Sequence, residues 1–155
     1  MNFEKKIKDL KLEIPKAPNP VGDYVAFKKK DNLVFISGQI SLGIDGKLIK
    51  GKVGKDLSLE EGQKAAYACG INIISQIKSA CNGDLDLVKN CIKITGYVNS
   101  SDNFIDQPKV INPASELIAN IFGENGKHSR AAVSVNSLPL GAAVEIDAIF
   151  ELKWN

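Results

Sequence analysis

Ser58 and Glu61, at the S-x-x-E spacing of a capping box, open the strongest helical pattern in the chain. Ala65, Ala66, Cys69, Ile73, Ile77 and Ala80 recur along one face, and Asn82 with Gly83 supplies the stop. Gly70 sits inside the pattern at a cost of about 1 kcal/mol relative to alanine, so another element is expected to pack closely there. A helix of this length must lay its apolar stripe on a second layer, and the segments on either side of it read as strands.

Tyr24 to Phe27 and Leu33 to Ile40 read as two strands, with Lys28, Lys29, Lys30, Asp31 and Asn32 as the turn between them. The glycines at 43, 46, 51 and 54 break up the segment from Ser41 to Asp56 and leave room for one short strand around Lys47 to Ile49. Leu87 to Val98 is a third main strand. A second long helix is expected over Pro108 to Phe122, where Val110, Ile111, Leu117, Ile118, Ile121 and Phe122 give the face, Gly123 ends it, and Pro113 is tolerable only in a first turn. Arg130 to Asn136 and Ala143 to Leu152 close the chain as strands. Ahead of all this, Phe3, Ile7 and Leu10 mark a short helix from about Phe3 to Leu12 that must stop near Pro15. Residues 1–17 are therefore an N-terminal helix and connector, and 18–155 a single domain. The order predicts an α+β fold: a mixed sheet with two main helices on one face, since both helical crossovers follow the right-handed rule. The other sheet face needs a cover, and in a chain of 155 residues a subunit contact is the natural one.

Charge and composition narrow the function. The 20 basic and 18 acidic residues leave a net charge of +2, too near balance for a dedicated duplex-DNA binder, and 6% aromatics do not make a base-stacking platform. No apolar run reaches the length of a membrane span, and the charged start has no apolar stretch behind it, so the expected address is the cytoplasm. Cys69, Cys81 and Cys91 form no ligand or C-x-x-C pattern and read as reduced, mostly buried thiols. His128 is the single histidine and builds no metal site alone. Lysine supplies every other basic position, so the one guanidinium, Arg130, marks a place where a planar two-pronged donor is of use.

Alternation sorts the last strand. Val144, Ile146, Ala148, Phe150 and Leu152 point one way, and Glu145, Asp147 and Glu151 the other. In the preceding strand Ala131, Val133 and Val135 are the expected apolar face, leaving Arg130, Ala132, Ser134 and Asn136 on the polar one. Counted along the sheet at about 3.3 Å per residue, Arg130 and Glu145 are offset by roughly 15 Å. If both serve one small ligand, a neighbouring subunit completes the site.

Ser129-Arg130-Ala131-Ala132-Val133 and Leu138-Pro139-Leu140-Gly141-Ala142-Ala143-Val144-Glu145-Ile146 resemble the C-terminal signature of the RidA/YjgF family. Gly22-Asp23-Tyr24 and Asn32-Leu33-Val34-Phe35-Ile36-Ser37-Gly38-Gln39-Ile40 are similar to its N-terminal hairpin in content and spacing. His128 two positions before the arginine, Asn136 in place of a small residue and Asp23 before the tyrosine depart from the usual pattern. They resemble the longer-chain branch of the family, with its H-x-R, its Q-P-K-V-x-N stretch (Gln107 to Asn112) and an extra N-terminal helix.

The resemblance implies a fold like the Bacillus-type chorismate mutase, a homotrimer with ligand sites between subunits, and no metal or cofactor. It implies that Arg130 holds a substrate carboxylate, that Glu145 orients a water, and that Tyr24 stands beside the ligand. Ser37 and Gly38 would line the cleft, with Asn112 near the arginine. The implied reaction is hydrolysis of reactive 2-imino or enamino acids to 2-oxo acids and ammonia. Two other readings stay open: a non-catalytic regulatory module that binds a small 2-oxo or 2-imino carboxylic acid, and an endoribonuclease or translation inhibitor. The single histidine and the absence of a basic stripe argue against the last.

Overall fold

The computed structural model describes residues 2–153. It orders them as α1 (Phe3–Asp9), β1 (Phe27–Lys30), β2 (Leu33–Ile40), α2 (Leu59–Ala80), β3 (Val88–Asn99), α3 (Gln107–Phe122), β4 (Ser129–Val135) and β5 (Val144–Leu152). The five strands form one sheet in the order β1-β2-β5-β3-β4, in which β3 and β4 run parallel and the other neighbours antiparallel. This is the expected α+β architecture, with one refinement. β4 and β5 follow each other in sequence but are not neighbours, because β3 lies between them.

The capping box forms as the spacing requires: the Glu61 amide donates to Ser58 Oγ at 3.1 Å, and the Ser58 amide donates to Glu61 Oε2 at 2.7 Å. Gly70 has the expected role. A Cβ there would stand 3.2 Å from Ala114 Cα of α3, so the missing side chain is what lets the two helices touch. Both helices press on one sheet face, where Val34, Ile36, Ile94, Val98, Ile146, Ala148 and Phe150 are buried with Ile73, Ile77, Val110, Ile111 and Ile118. Phe3 and Ile7 of α1 join the same core, with the Phe3 ring edge-on to Phe122 at 4.9 Å.

Several expectations need correction. The lysine run is not a hairpin tip: Lys28, Lys29 and Lys30 are strand β1, and the reversal is made by Asp31 and Asn32 alone, with Asp31 at φ 54°. Charged side chains on this outer strand discourage pairing with a further edge. Tyr24 and Val25 lie ahead of the strand, exposed and irregular. Around Lys47 to Ile49 there is no strand, only isolated bridges such as Leu42 to Leu48. The first helix ends at Asp9, not Leu12, because Lys11 turns to φ 53°.

Pro113 falls inside α3, beyond its first turn. An interior proline removes the amide that would have bonded the carbonyl four residues back, here Lys109. That carbonyl instead accepts from Gln63 Nε2 of α2 at 2.9 Å.

The faces of β4 are opposite to the expectation. Ala132 packs on the core and Ser134 bonds to Ser100 and to Gln107 at the start of α3, whereas Val133 is 45% exposed. Arg130, Ala132 and Ser134 therefore face the helices, and Ala131, Val133 and Val135 face the uncovered side. Sheet pairing has overridden the hydrophobic pattern here.

Candidate functional site

β1 ends its pairing at Phe27 and Ile36, so the rest of β2 has no outer strand beside it. The segment from Pro18 to Ala26 runs along this edge instead. It is tied there by the Ser37 amide donating to the Ala26 carbonyl at 3.0 Å and by Ser37 Oγ donating to the Val25 carbonyl at 2.7 Å. From α2, Gln76 Nε2 reaches the Pro18 carbonyl at 2.8 Å and Gln39 Oε1 at 3.2 Å, while Asn72 donates to the Leu42 carbonyl at 2.9 Å. These buried amides hold open a cavity of about 540 Å³ lined by Pro18, Tyr24, Ser37, Gly38, Gln76 and Glu145.

Four of the expected site residues, Tyr24, Ser37, Gly38 and Glu145, therefore share one cavity. Between Ile36 and Gln39 the β2–β5 register slips, and Ser37-Gly38 forms the irregularity. The bulge places the glycine under the Glu145 carboxylate: a Cβ on Gly38 would lie 2.1 Å from Glu145 Oε1. Burial, with the neighbouring Asp147 charge second, raises the Glu145 pKa above the ordinary 4.5. Asp147 in turn accepts from Tyr97 Oη at 3.1 Å. A carboxylate of raised basicity over a cavity can accept a proton from bound water.

Gly38→Ala is expected to lower about 10²-fold any turnover that depends on the Glu145 carboxylate, with little loss of fold, since the methyl displaces that carboxylate by about an ångström or more. Steady-state rates beside a thermal melt check it. Full activity in that variant would show that the position of Glu145 is immaterial.

Arg130 and Asn112 lie elsewhere. Arg130 Nη1 donates to Asn112 Oδ1 at 3.0 Å and to Ser115 Oγ at 3.1 Å, and Nη2 donates to the Pro108 carbonyl at 3.3 Å. Pro108, Asn112 and Ser115 follow one another at i, i+4 and i+7 on one face of α3. Of the five guanidinium N–H groups these bonds use three. The Nε–H and one Nη2–H have no partner among the described residues, which leaves donors for a carboxylate.

The separation from Glu145 follows from register. Arg130 is opposite Ile94 and Glu145 opposite Tyr97, three residues on along β3. At about 3.3 Å per residue and about 4.8 Å per strand, the two Cα atoms are roughly 14 Å apart. An odd step along a strand also reverses the face. Arg130 points to the helix side of the sheet and Glu145 to the uncovered side.

Sequence reasoning missed Ser115, Asp147 and the amides of Gln39, Asn72 and Gln76. Ser115 was signalled by its helical spacing from Asn112, and Asp147 by its period-two spacing from Glu145. The amides carried no local signal, because a polar residue on a long helix reads as solvated until the fold buries it. Cys69, Cys81 and Cys91 are free and buried, and burial raises Cys69 well above the usual thiol range, Cys81 to about 11 and Cys91 to about 12. None is a thiolate nucleophile at neutral pH.

A family model described as "YjgF/chorismate mutase-like, putative endoribonuclease" matches residues 4–152. The chain belongs to this family. Its RidA/YjgF relatives include the Trypanosoma cruzi protein TCP17, 43% identical over 93% of this chain and 90% of that one. The Agrobacterium tumefaciens protein Atu1372, of unknown function, has a crystal structure that superposes with a TM-score of 0.89 at 43% identity, covering 97% of this chain and 92% of its own. More distant family members are imine deaminases: the human 2-iminobutanoate/2-iminopropanoate deaminase is 30% identical over 89% of this chain and 86% of its own. The RidA/YjgF chain here has no helix, among the described residues, long and apolar enough to cross a membrane.

Proposed function

We propose that this RidA/YjgF chain hydrolyses small 2-imino and enamino acids to 2-oxo acids and ammonia, in a cleft that one protomer supplies with Arg130 and Asn112 and its neighbour with Glu145, Tyr24, Ser37 and Gly38. The observation that carries the reading is the half-buried Glu145 carboxylate of raised basicity, seated on the Gly38 bulge above a cavity that fits a small organic acid. The opposed orientation of Arg130 supports a shared cleft. So does the uncovered sheet face, where Phe35, Ile92 and Val133 are each 40% or more exposed and a further copy of the chain would cover them. A trimer closes such a head-to-tail contact into a ring.

The chemistry balances without a covalent intermediate. The guanidinium grips the substrate carboxylate and so fixes the neighbouring C=N carbon. A water held by Glu145 adds its oxygen to that carbon, the π pair moves to nitrogen, and Glu145 takes the water's proton. The same carboxyl returns the proton to nitrogen. The carbinolamine then expels ammonia as its hydroxyl becomes the 2-oxo group. An enamine enters the scheme as its imine tautomer, its terminal carbon gaining a proton from water and its nitrogen losing one to water.

The test is a coupled measurement of ammonia release from freshly generated 2-aminoacrylate. Acceleration proportional to protein concentration is expected. Tight calorimetric binding of a 2-oxo acid with no acceleration would replace the hydrolase by a carboxylate sensor built on the same cleft.

A further inference from the structure

His128 and Ser115 have no part in the reaction as drawn, yet they connect to Arg130 through an unbroken chain of hydrogen bonds. His128 Nδ1 lies 2.6 Å from the Gly126 carbonyl oxygen. A carbonyl only accepts, so this nitrogen carries the proton, and in the neutral ring Nε2 is left as the acceptor. Nε2 lies 2.9 Å from Ser115 Oγ, so the hydroxyl donates to the ring. With its hydrogen committed there, Ser115 Oγ offers lone pairs to Arg130 Nη1 at 3.1 Å. The direction of every bond follows from the one backbone carbonyl.

We propose that Ser115 and neutral His128 are positioning residues for Arg130, fixing Nη1 against α3 so that the Nε and Nη2 donors face the substrate carboxylate, and that protonation of His128 releases this hold. The proposal rests on the reading of Arg130 as the carboxylate anchor. A doubly protonated ring has two donors and no acceptor, so Ser115 Oγ must accept from Nε2 as well as from Arg130 Nη1, with its own hydrogen turned away from both. Two cations then face each other across one oxygen.

The charged groups on the surrounding elements are Arg130 on β4, Lys109 and Glu116 on α3, Lys89 and Lys93 on β3, and Glu124 with Lys127 on the turn after α3; of these the Arg130 charge acts on the ring. Lys109 is paired to Asp106 at 3.1 Å and Lys127 to Glu124 at 2.8 Å. Burial of the ring, and after it the Arg130 charge, lowers the His128 pKa from 6.5, against the opposing pull of the Gly126 bond. The neutral ring therefore prevails at neutral pH, and the hold on Arg130 is lost as the pH falls through the lowered value. Protonation of Glu145 over the acidic range removes a negative charge from the cleft and acts on anion affinity in the opposite direction.

Calorimetric titration of the intact protein with 2-oxobutanoate between about pH 5 and pH 8 tests this, using wild type, Ser115→Ala, His128→Gln and Arg130→Ala, each checked by a thermal melt at every pH. Wild-type affinity is expected to fall about tenfold toward the acidic end, the loss of one charge-assisted hydrogen bond. In Ser115→Ala the affinity is already about tenfold weaker at pH 8 and shows no acid-dependent fall. In His128→Gln, whose amide oxygen can accept from Ser115 but does not titrate, the acid-dependent fall disappears. If Ser115→Ala and His128→Gln both follow the wild-type curve while Arg130→Ala abolishes binding, the positioning role is refuted and the anchor stands. If Arg130→Ala binds as tightly as wild type, the anchor reading itself fails.

Discussion

Replacing Arg130 by alanine is expected to lower kcat/KM for a small 2-imino acid about 10³-fold, equivalent to about 4 kcal/mol of lost transition-state stabilisation. In the proposed reaction this guanidinium fixes the carboxylate beside the reacting carbon, and it is braced by Asn112, Ser115 and the Pro108 carbonyl. Arg130→Lys is expected to lose about 10²-fold, because an ammonium carries the charge but cannot hold three partners on α3 and a bidentate anion at once. Neither change removes a core side chain, so the assembly and the thermal melt should be close to wild type. Steady-state rates from the coupled assay, with size-exclusion profiles beside them, check the prediction. Wild-type turnover by Arg130→Ala would remove the carboxylate anchor from the mechanism.

Glu145→Gln is expected to lower kcat about 10² to 10³-fold with a small change in KM, since the amide keeps the shape of the side chain but cannot take a proton. The pH profile adds a sign. In the proposed reaction the active form is the carboxylate, so the wild-type rate is expected to be lost as pH falls through the Glu145 pKa, which burial and Asp147 hold above 4.5. Asp147→Asn removes the second of these causes, and the acid limb should move to lower pH. A limb that moves to higher pH, or Glu145→Gln with full kcat, would exclude Glu145 as the proton acceptor.

The elements legible in the sequence were those whose side chains meet the core in a regular pattern. The capping box at Ser58 and Glu61, the apolar stripe of α2 and the alternation of β5 all have that property, and each led to the observed element. β4 misled because it is an edge strand held in register by β3 alone, so that its small residues face α3 while its valines face the uncovered side. Pro113 misled because its missing amide is offset by Gln63, some fifty residues earlier, a compensation no local window contains. The candidate residues were legible as types and motifs. What the fold adds is their distribution: Tyr24, Ser37, Gly38 and Glu145 on one cavity, Asn112 and Arg130 on the opposite face with Ser115 and His128 behind them.

That distribution makes a quantitative demand. A cleft that draws its arginine from one protomer and its glutamate from the next is intact when an Arg130→Ala subunit supplies the glutamate to a Glu145→Gln subunit that supplies the arginine. The decisive measurement is the ammonia-release rate of the two variants unfolded, mixed in equal amounts and refolded together. Random assembly leaves about one cleft in four with both residues, so recovery to roughly a quarter of the wild-type rate is expected from two nearly inactive parents. A mixture that stays as inactive as its parents, despite demonstrated formation of mixed assemblies, would contradict a site shared between protomers.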